Sequence, residues 1–279
     1  MIPSRGSAVA RRMLRDRSAV TGFALLAMLF LLAFAGPLFT RWSWADTDFT
    51  AFRDPPSAAH WLGTTPSGRD VYALTVRGLQ KSLLIGLTVA TVSTGLAAVV
   101  GAFAGYLGGR TDRILMALVD LFLVLPAFLV IAVLSQSARG HGTLLLVVLL
   151  AGFLWMVTAR VVRGMTRSLR GREYVLAARF MGVSAPRIVF RHLLPNLASL
   201  LIIDATLNVS TAIIAESALS YFGFGVQPPD SSLGTVIAAG SGAATTAPWL
   251  FVPAASLLVC VVLAVNLAGD GLRDALDAS

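Results

Sequence analysis

Long uncharged stretches constrain this chain more than any other feature of its sequence. A helix that crosses the hydrocarbon core of a bilayer needs about 20 mostly apolar residues, because every backbone N–H and C=O must be satisfied within the segment. Six stretches meet this test or come close to it, at 19–39, 82–109, 114–138, 143–159, 198–219 and 249–267. We therefore predict an all-α, polytopic membrane protein with six transmembrane helices.

Composition excludes the common soluble classes. With 56% hydrophobic residues against 13% charged, and a mean hydropathy of +0.79, the chain has too little polar surface to cover a globule. Disorder requires few apolar residues, and a coiled coil requires many charged ones. A single cysteine, Cys260, cannot form an internal disulfide, and the scattered His60, His141 and His192 lack metal-ligand spacing, so we expect no metal site.

The net charge of +8 is explained by topology. Basic residues near span ends stay preferentially on the cytoplasmic side, and sixteen of the 22 fall on one side if the N-terminus is inside. Both termini are therefore predicted to be cytoplasmic, with 1–18 as a cytoplasmic segment, and no nucleic-acid binding is implied. A cleaved signal peptide, ending near Ala33-Phe34-Ala35, is the alternative for the first span; cleavage would not reverse the other five helices.

The remaining chain divides into an outer loop and a core. Residues 40–81 are predicted to form an extracytoplasmic loop, and 82–279 a five-helix core that includes a basic cytoplasmic connector at 160–196. The outer loop contains several Pro and Gly residues, which fit either a folded cap or a solvated connector with ordinary turns.

Small residues recur every four positions in the second predicted span. Such a stripe lets another helix approach closely, which matters in a bilayer because packing must supply the association energy. The residues predicted to form this packing stripe are Ala97, Gly101, Gly105 and Gly109.

Ionisable residues inside the predicted spans are candidates for a translocation pathway, because they cost about 2.5 kcal/mol or more at mid-span. Asp204, Asn208 and Thr211 share one face of the fifth span, and Glu216 lies further along it. These side chains should face the bundle interior or a wet pathway; a satisfied cluster of interhelical hydrogen bonds is the alternative. For Asp120 we expect an ion pair with a nearby arginine.

The connector has the pattern of two short amphipathic helices joined by a turn. Gly182 suits a left-handed cap, Ser184 can cap the second helix, Pro186 is tolerated in its first turn, and Pro195 should end it. The first helix, at about 172–181, is predicted to place four residues on one side, namely Tyr174, Ala177, Ala178 and Met181.

Here the sequence resembles a known family. The segment EYVLAARFMG at 173–182, followed by RHLLPN at 191–196, resembles the EAA loop of permease subunits of bacterial ABC importers. Leu176 stands where the general pattern has Glu, and His192 stands where it has Ile. Both departures look like the dipeptide, oligopeptide and nickel branch, and specifically its C-type subunit.

Four further blocks, at 60–70, 105–112, 216–229 and 266–274, also look like that branch. Thr65 and Leu233 depart from its usual Asp and Trp, so the outer surface is expected to differ somewhat.

The resemblance implies a type I ABC importer transmembrane domain that forms half of a channel. It implies four kinds of partner: a homologous permease, two ATP-binding subunits or one fused ATPase, an extracytoplasmic binding protein, and the bilayer. The ATPase-coupling residues that it implies are Glu173, Tyr174, Ala177, Ala178, Met181, Gly182, Leu194 and Pro195.

This chain is not expected to bind ATP or to catalyse its hydrolysis. A Walker A loop requires Gly-Lys followed by Ser or Thr. The single lysine, Lys81, follows Gln80 and lies on the predicted outer side. ATP and Mg²⁺ are therefore expected to be used by partner subunits, and this chain is expected to hold no cofactor.

The function that follows is import of di- or oligopeptides across a bacterial cell membrane, with nickel or another small solute as the alternative cargo. Two other classes compete. A proton-coupled secondary transporter could use Asp120, Asp204 and Glu216 as a relay, and would lose uptake when the proton gradient is collapsed at constant ATP. A purely structural membrane scaffold predicts no effect of deletion on uptake.

Overall fold

The structure, a computed structural model, describes Met13 and residues 16–137 and 142–277. The predicted 1–18 segment falls mostly outside the described residues, as does His141. The described residues form ten α-helices and no strand. They are α1 Arg17–Ala35, α2 Val71–Leu107, α3 Gly109–Val124, α4 Ala127–Ser137, α5 Gly142–Leu169, α6 Glu173–Phe180, α7 Ala185–Ile188, α8 Ala198–Tyr221, α9 Leu233–Ser241 and α10 Val252–Asp277.

The predicted all-α membrane fold is confirmed. In the described residues, five helical segments are long and apolar enough to cross a membrane, and α3 with α4 makes a sixth if this bent pair is counted as one span. The bend of 79° lies at Leu125 and Pro126. Proline lacks a backbone donor and pushes the preceding residue to extended backbone, which Leu125 adopts at φ −74° and ψ 134°.

Several helices extend beyond the predicted spans. Helix α2 begins at Val71 rather than 82, because Asp70 caps it by accepting a hydrogen bond from the backbone N–H of Ala73 at 2.7 Å. Helix α5 continues past 159 to Leu169, and α10 continues past 267 to Asp277. Hydrophobicity marks only the apolar middle of each helix, whereas capping and side-chain pairing decide where it ends.

Helix α2 is the central element of the bundle, since it contacts α1, α3, α5, α8, α9 and α10. Its small residues pack against α5. A Cβ on Gly101 would lie 2.5 Å from the carbonyl oxygen of Ala159, and one on Gly105 would lie 2.6 Å from that of Arg163. Ala97 is fully buried in the same interface. These three residues of the predicted stripe therefore lie in the interface between α2 and α5.

Gly109 does not belong to the stripe. Helix α2 ends at Leu107, and the chain then turns through two left-handed glycines, Gly108 at φ +67° and Gly109 at φ +56°. Gly109 is exposed and a Cβ there would meet nothing within 4 Å. The fourfold spacing crosses the break between α2 and α3, so Gly109 does not share a helix face with the other three residues.

Residues 40–70 form a folded cap at the end of α2 that lies farthest from the connector. His60 Nδ1 lies 2.8 Å from Asp70 Oδ2, and the indole of Trp42 stacks on the His60 ring at 4.7 Å. Hydrogen bonds from the Thr50 hydroxyl and backbone, together with His60, hold the pKa of Asp48 below its ordinary value. These contacts favour the cap over the solvated connector.

We predict that Gly101→Ala destabilises the bundle, because the new Cβ forces α2 and α5 apart. Overpacking of this kind costs about 1–3 kcal/mol. The measurement is the thermal loss of monodisperse protein in detergent. Gly95→Ala is the matched control, since Gly95 lies exposed on the same helix with nothing within 4 Å of its Cβ position. Equal melting of the two variants would contradict the assigned contact.

Candidate coupling surface and intramembrane polar clusters

The connector forms a helical hairpin, residues 173–197, whose inner face is pinned to the bundle. Val175 and Ala178 of α6 are buried with Ile188 of α7 in one apolar cluster. The cluster also includes Val162 of α5 and Ala102 of α2. Because the hairpin runs directly into α8, its base is fixed to three membrane-spanning helices.

A left-handed glycine closes α6. Gly182 has φ +77°, and its N–H donates to the carbonyl oxygen of Arg179 at 3.0 Å. The N–H of Val183 donates to the carbonyl oxygen of Ala178 at 3.1 Å. This pair of bonds is the Schellman arrangement, so the predicted glycine cap is confirmed.

The second helix of the hairpin differs from the prediction in two details. Ser184 occupies the N-cap position, but its side chain accepts no capping hydrogen bond, and Pro186 lies in the first turn as expected. Pro195 does not end the helical path. It lies in the 3-10 turn Leu194–Leu197, which continues into α8, because a proline in the first positions of a new turn needs no donor.

The predicted coupling residues separate into two sets. The first set is exposed, as predicted, and comprises Tyr174, Ala177, Met181 and Gly182. The second is Ala178, which is buried. Ala178 lies one turn after the buried Val175, so it shares the inner face of α6. Placing Ala178 on the exposed side was therefore wrong, although its role in holding the hairpin is clear.

Three further predicted coupling residues lie around this surface. Glu173 is exposed in the first turn of α6, where a carboxylate suits the positive end of the helix dipole. Leu194 is half-buried against the apolar cluster, and Pro195 is exposed. The sequence analysis missed Phe180, which is 87% exposed beside Met181 at 76%. The signal in the sequence was an aromatic residue two positions before Gly182, the glycine that ends the helix.

Asp204 and Asn208 form an interhelical hydrogen-bond cluster. Asp204 Oδ1 accepts from the Thr158 hydroxyl of α5 at 2.7 Å, and Oδ2 accepts from the Thr94 hydroxyl of α2 at 2.9 Å. The Asn208 amide also donates to Oδ2 at 2.9 Å. Thr211 lies outside this cluster, because its exposed hydroxyl donates to the carbonyl oxygen of Leu207 in the same helix. For Asp204 and Asn208, the contacts therefore favour the alternative of a satisfied cluster of interhelical hydrogen bonds.

Glu216 is fully buried among serine side chains. Its carboxyl oxygens lie 3.0 Å from the Ser82 hydroxyl of α2 and 2.6 Å from the Ser220 hydroxyl of α8. The Ser82 hydroxyl in turn accepts from the backbone N–H of Leu233, the first residue of α9. Glu216 therefore joins three helices. The spacing of Glu216 and Ser220, four residues apart, was a signal in the sequence.

Two acids of α3 pair with arginines of α5. Asp120 forms an ion pair with Arg160, as predicted. Asp112, which was not singled out, is buried and accepts hydrogen bonds from both Arg163 and Arg167. These pairs fasten α3 to the second half of α5, and the pair at Asp112 lies nearest the hairpin. The described residues contain no group of three or more His, Cys, Asp or Glu that could hold a metal.

At the cap end, Asp230 fastens the segment before α9 to α2. Its carboxylate lies 2.8 Å from Arg77 and 2.6 Å from Lys81. Partial burial works against ionisation, but the hydrogen bonds and charges of these two side chains hold the pKa of Asp230 below its ordinary value. Asp230 also lines a cleft of about 440 Å³ between the cap and α9, together with Arg69.

The fold and its protruding hairpin define the membrane-embedded subunit of a transporter. The chain belongs to the family of binding-protein-dependent transport system inner membrane components, whose family model matches residues 97–279. A second model, for the N-terminal transmembrane domain of oligopeptide transport permease C, matches residues 4–56.

Curated relatives match almost the whole chain. The oligopeptide transport system permease protein OppC of Mycobacterium tuberculosis (strain H37Rv) is 54% identical over 275 residues, which are 98% of this chain and 94% of the relative. OppC of Bacillus subtilis is 37% identical, covering 95% of this chain and 88% of the relative. A putative peptide permease of Brucella suis is 40% identical, covering 96% and 89%.

The fold is similar to that of a solved structure, an inward-facing conformation of the MetNI methionine ABC transporter. The match has a TM-score of 0.55 at 20% identity and covers 74% of this chain and 96% of that chain. The family models and the curated relatives confirm the resemblance found in the sequence, and the solved structure supports the fold.

We predict that Glu216→Ala destabilises the protein much more than Glu216→Gln. Removing the carboxyl leaves the buried hydroxyls of Ser82 and Ser220 without their acceptor, at about 1–3 kcal/mol for each unsatisfied group, whereas glutamine retains a carbonyl oxygen and gains a donor. Thermal denaturation of the purified complex measures the difference. If the alanine variant melted with the wild type, Glu216 would not be the link between α2, α8 and α9.

Proposed function

We propose that this chain is the permease subunit of an ATP-binding-cassette importer and forms half of the translocation pathway for di- and oligopeptides. The names of the relatives at 54%, 40% and 37% identity support peptide as the cargo. Nickel or another small solute is the alternative cargo, because a separate binding protein largely sets selectivity in such a system.

The observation that carries the coupling role is the exposed apolar tip of the hairpin, formed by Phe180 and Met181. Two large apolar side chains next to each other, 87% and 76% exposed, indicate a surface that a partner covers. The partner is proposed to be an ATPase subunit on the cytoplasmic side, which requires both chain termini to be cytoplasmic as well.

The hairpin can transmit force because its outer face is separate from its inner face. Val175 and Ala178 hold it to α2, α5 and α8, while Ala177 and Gly182 lie outside. A Cβ on Gly182 would meet nothing within 4 Å, so a side chain that begins there starts in open space. Closure of the ATPases would then move the bundle as a body between inward-open and outward-open states.

The proposed assembly contains this chain, a homologous permease, two ATP-binding subunits or one fused ATPase, and an extracytoplasmic binding protein, in a bacterial cell membrane. ATP and Mg²⁺ would be held by the ATPase subunits and not by this chain. The cap end, with the cleft that Arg69 and Asp230 line, would face the binding protein.

The arrangement of acids gives no support to a proton relay. Asp120 pairs with Arg160, Asp204 bonds to hydroxyls of α2 and α5, and Glu216 lies among serines. No hydrogen bond in the described part of the chain connects one of these clusters to another, as a relay of the three acids would require.

We predict that Gly182→Leu uncouples ATP hydrolysis from uptake. The complete complex in proteoliposomes, with its binding protein and a labelled oligopeptide, should lose uptake about tenfold or more, as when docking is weakened by about 1.4 kcal/mol, while ATP hydrolysis persists.

Gly109→Leu is the matched control, because Gly109 is also exposed, left-handed and without neighbours at its Cβ position. The backbone strain, about 1–2 kcal/mol, is therefore similar in both variants. Normal uptake by Gly182→Leu would overturn the coupling role. Uptake that persists without any ATPase subunit, and stops when the proton gradient is collapsed, would overturn the importer itself.

A further inference from the structure

A pocket beside the hairpin has two arginines and no acid among the described residues that line it. This pocket, called here the hairpin pocket, has a volume of about 540 Å³ and lies between the hairpin and the end of α2 opposite the cap. Its lining includes Tyr106 and Leu107 of α2, Arg170 just after α5, and Val175, Leu176 and Arg179 of α6. A concave surface with charge of one sign favours an occupant of the opposite sign.

Both arginines of the hairpin pocket are exposed and have free N–H donors. The guanidinium of Arg179 has neither an ion pair nor a hydrogen bond within the described ranges. Arg170 makes a long hydrogen bond, from its Nη1 to the carbonyl oxygen of Tyr106 at 3.5 Å. A Cβ on Gly108 would lie 2.9 Å from the same Nη1, so this guanidinium rests against the end of α2. Both side chains can therefore donate to an anion that enters the pocket.

Neighbouring acids do not balance these two charges. Residues 170–196 contain five arginines and one acid, Glu173. Glu173 does not line the pocket, and it lies six residues before Arg179, so the two side chains leave α6 on different sides. Asp112 is already paired with Arg163 and Arg167 of α5. The positive charge of the pocket is therefore left unbalanced by the described residues.

The hairpin pocket adjoins the exposed apolar tip. Leu176 precedes Arg179 by three residues and Phe180 by four, so these three side chains share one flank of α6. A partner that covers Phe180 must therefore also remove water from Arg179. Removing water from an unpaired charge costs free energy unless the partner brings a charge of the opposite sign. The partner of the tip should therefore be acidic at this flank.

We propose that an acidic side chain of the ATPase subunit enters the hairpin pocket and accepts hydrogen bonds from Arg170 and Arg179. The proposal rests on the proposed function, because it takes the ATPase subunit as the partner that covers the tip. A carboxylate suits the pocket because the planar donors of a guanidinium match its two oxygens. Leu107 and Leu176, which are both partly exposed, can pack against the carbon atoms of the entering side chain.

The two contacts have different effects on docking. Phe180 and Met181 supply apolar area, which is not directional. The ion pair is directional, because the carboxylate must meet the one flank of α6 that carries Arg179. The hairpin pocket would thus fix the orientation in which the ATPase subunit sits on the tip.

A cross-linking experiment tests this contact in the complete complex. The chain has a single lysine, Lys81, which pairs with Asp230 at the cap end. Arg179→Lys therefore places a lysine on a hairpin that otherwise has none. A zero-length carbodiimide joins an amine to a carboxylate only where the two are in contact. We predict an amide bond between the introduced lysine and an Asp or Glu of the ATPase subunit, located by mass spectrometry of the joined peptides.

Arg113→Lys is the matched control. Arg113 is exposed in the first turns of α3, next to Asp112, and does not line the hairpin pocket. Equal cross-linking of the control to the ATPase subunit, or no cross-link from Arg179→Lys to that subunit, would overturn the proposal.

A second experiment measures how fast the ATPase subunits leave the complex. The complex is held in nanodiscs through this chain and washed with rising concentrations of salt. Loss of a desolvated ion pair acts mainly on dissociation, so Arg179→Gln should release the ATPase subunits about tenfold faster than the wild type. Arg113→Gln, which removes the same charge elsewhere on α3, should release them as the wild type does. Equal release by Arg179→Gln and the wild type would rule out the ion pair.

Lipid composition separates the ATPase subunit from the membrane as the occupant. The faster release by Arg179→Gln should be the same in nanodiscs of phosphatidylcholine and in nanodiscs that contain phosphatidylglycerol. An effect confined to phosphatidylglycerol would assign the pocket to lipid headgroups and overturn the proposal.

Failure of this proposal can be told from failure of the proposed function. A wild-type complex that retains no ATPase subunit would contradict the proposed function itself. Normal retention by the wild type, with no effect of either Arg179 variant, would contradict only the acidic occupant of the hairpin pocket.

Discussion

The close approach of α2 and α5 is the contact on which the rest of the structure depends. In a bilayer, lipid is as apolar as the helices, so association relies on packing and on hydrogen bonds between helices. Gly101 and Gly105 bring the two backbones together. This approach sets Thr94 and Thr158 on either side of Asp204, and places the arginines of α5 beside Asp112. The hairpin therefore packs against helices whose relative positions are already fixed.

Much of this architecture could be predicted from the sequence, because hydrophobic length and the positions of glycine act locally. The membrane spans and the left-handed Gly182 follow from such local rules. Features set by partners distant in sequence were harder to predict. The burial of Ala178 depends on α7 and on Val162, and the start of α2 depends on Asp70, whose other carboxyl oxygen bonds to His60 in the cap. Phe180 is exposed because it lies on the side of α6 opposite the buried Val175 and Ala178.

The acidic residues inside the bundle are used mainly to join helices. Asp204 connects α2, α5 and α8, and Glu216 connects α2, α8 and α9, each through hydroxyl groups that satisfy the carboxyl oxygens. The two clusters share α2 and α8 but lie at different levels of these helices. Helices held together at two levels move as one body, which suits the rigid-body switching proposed for the hairpin.

The break at Pro126 has a consequence for biogenesis. The first N–H groups of any helix lack a partner within that helix, and backbone of this kind is tolerated at membrane depth only against protein or water. Leu125, Phe128 and Leu129 beside the break are substantially exposed in the single chain. The homologous permease of the proposed assembly would cover this break, and a chain synthesised without that partner is expected to be degraded by cellular quality control before it accumulates.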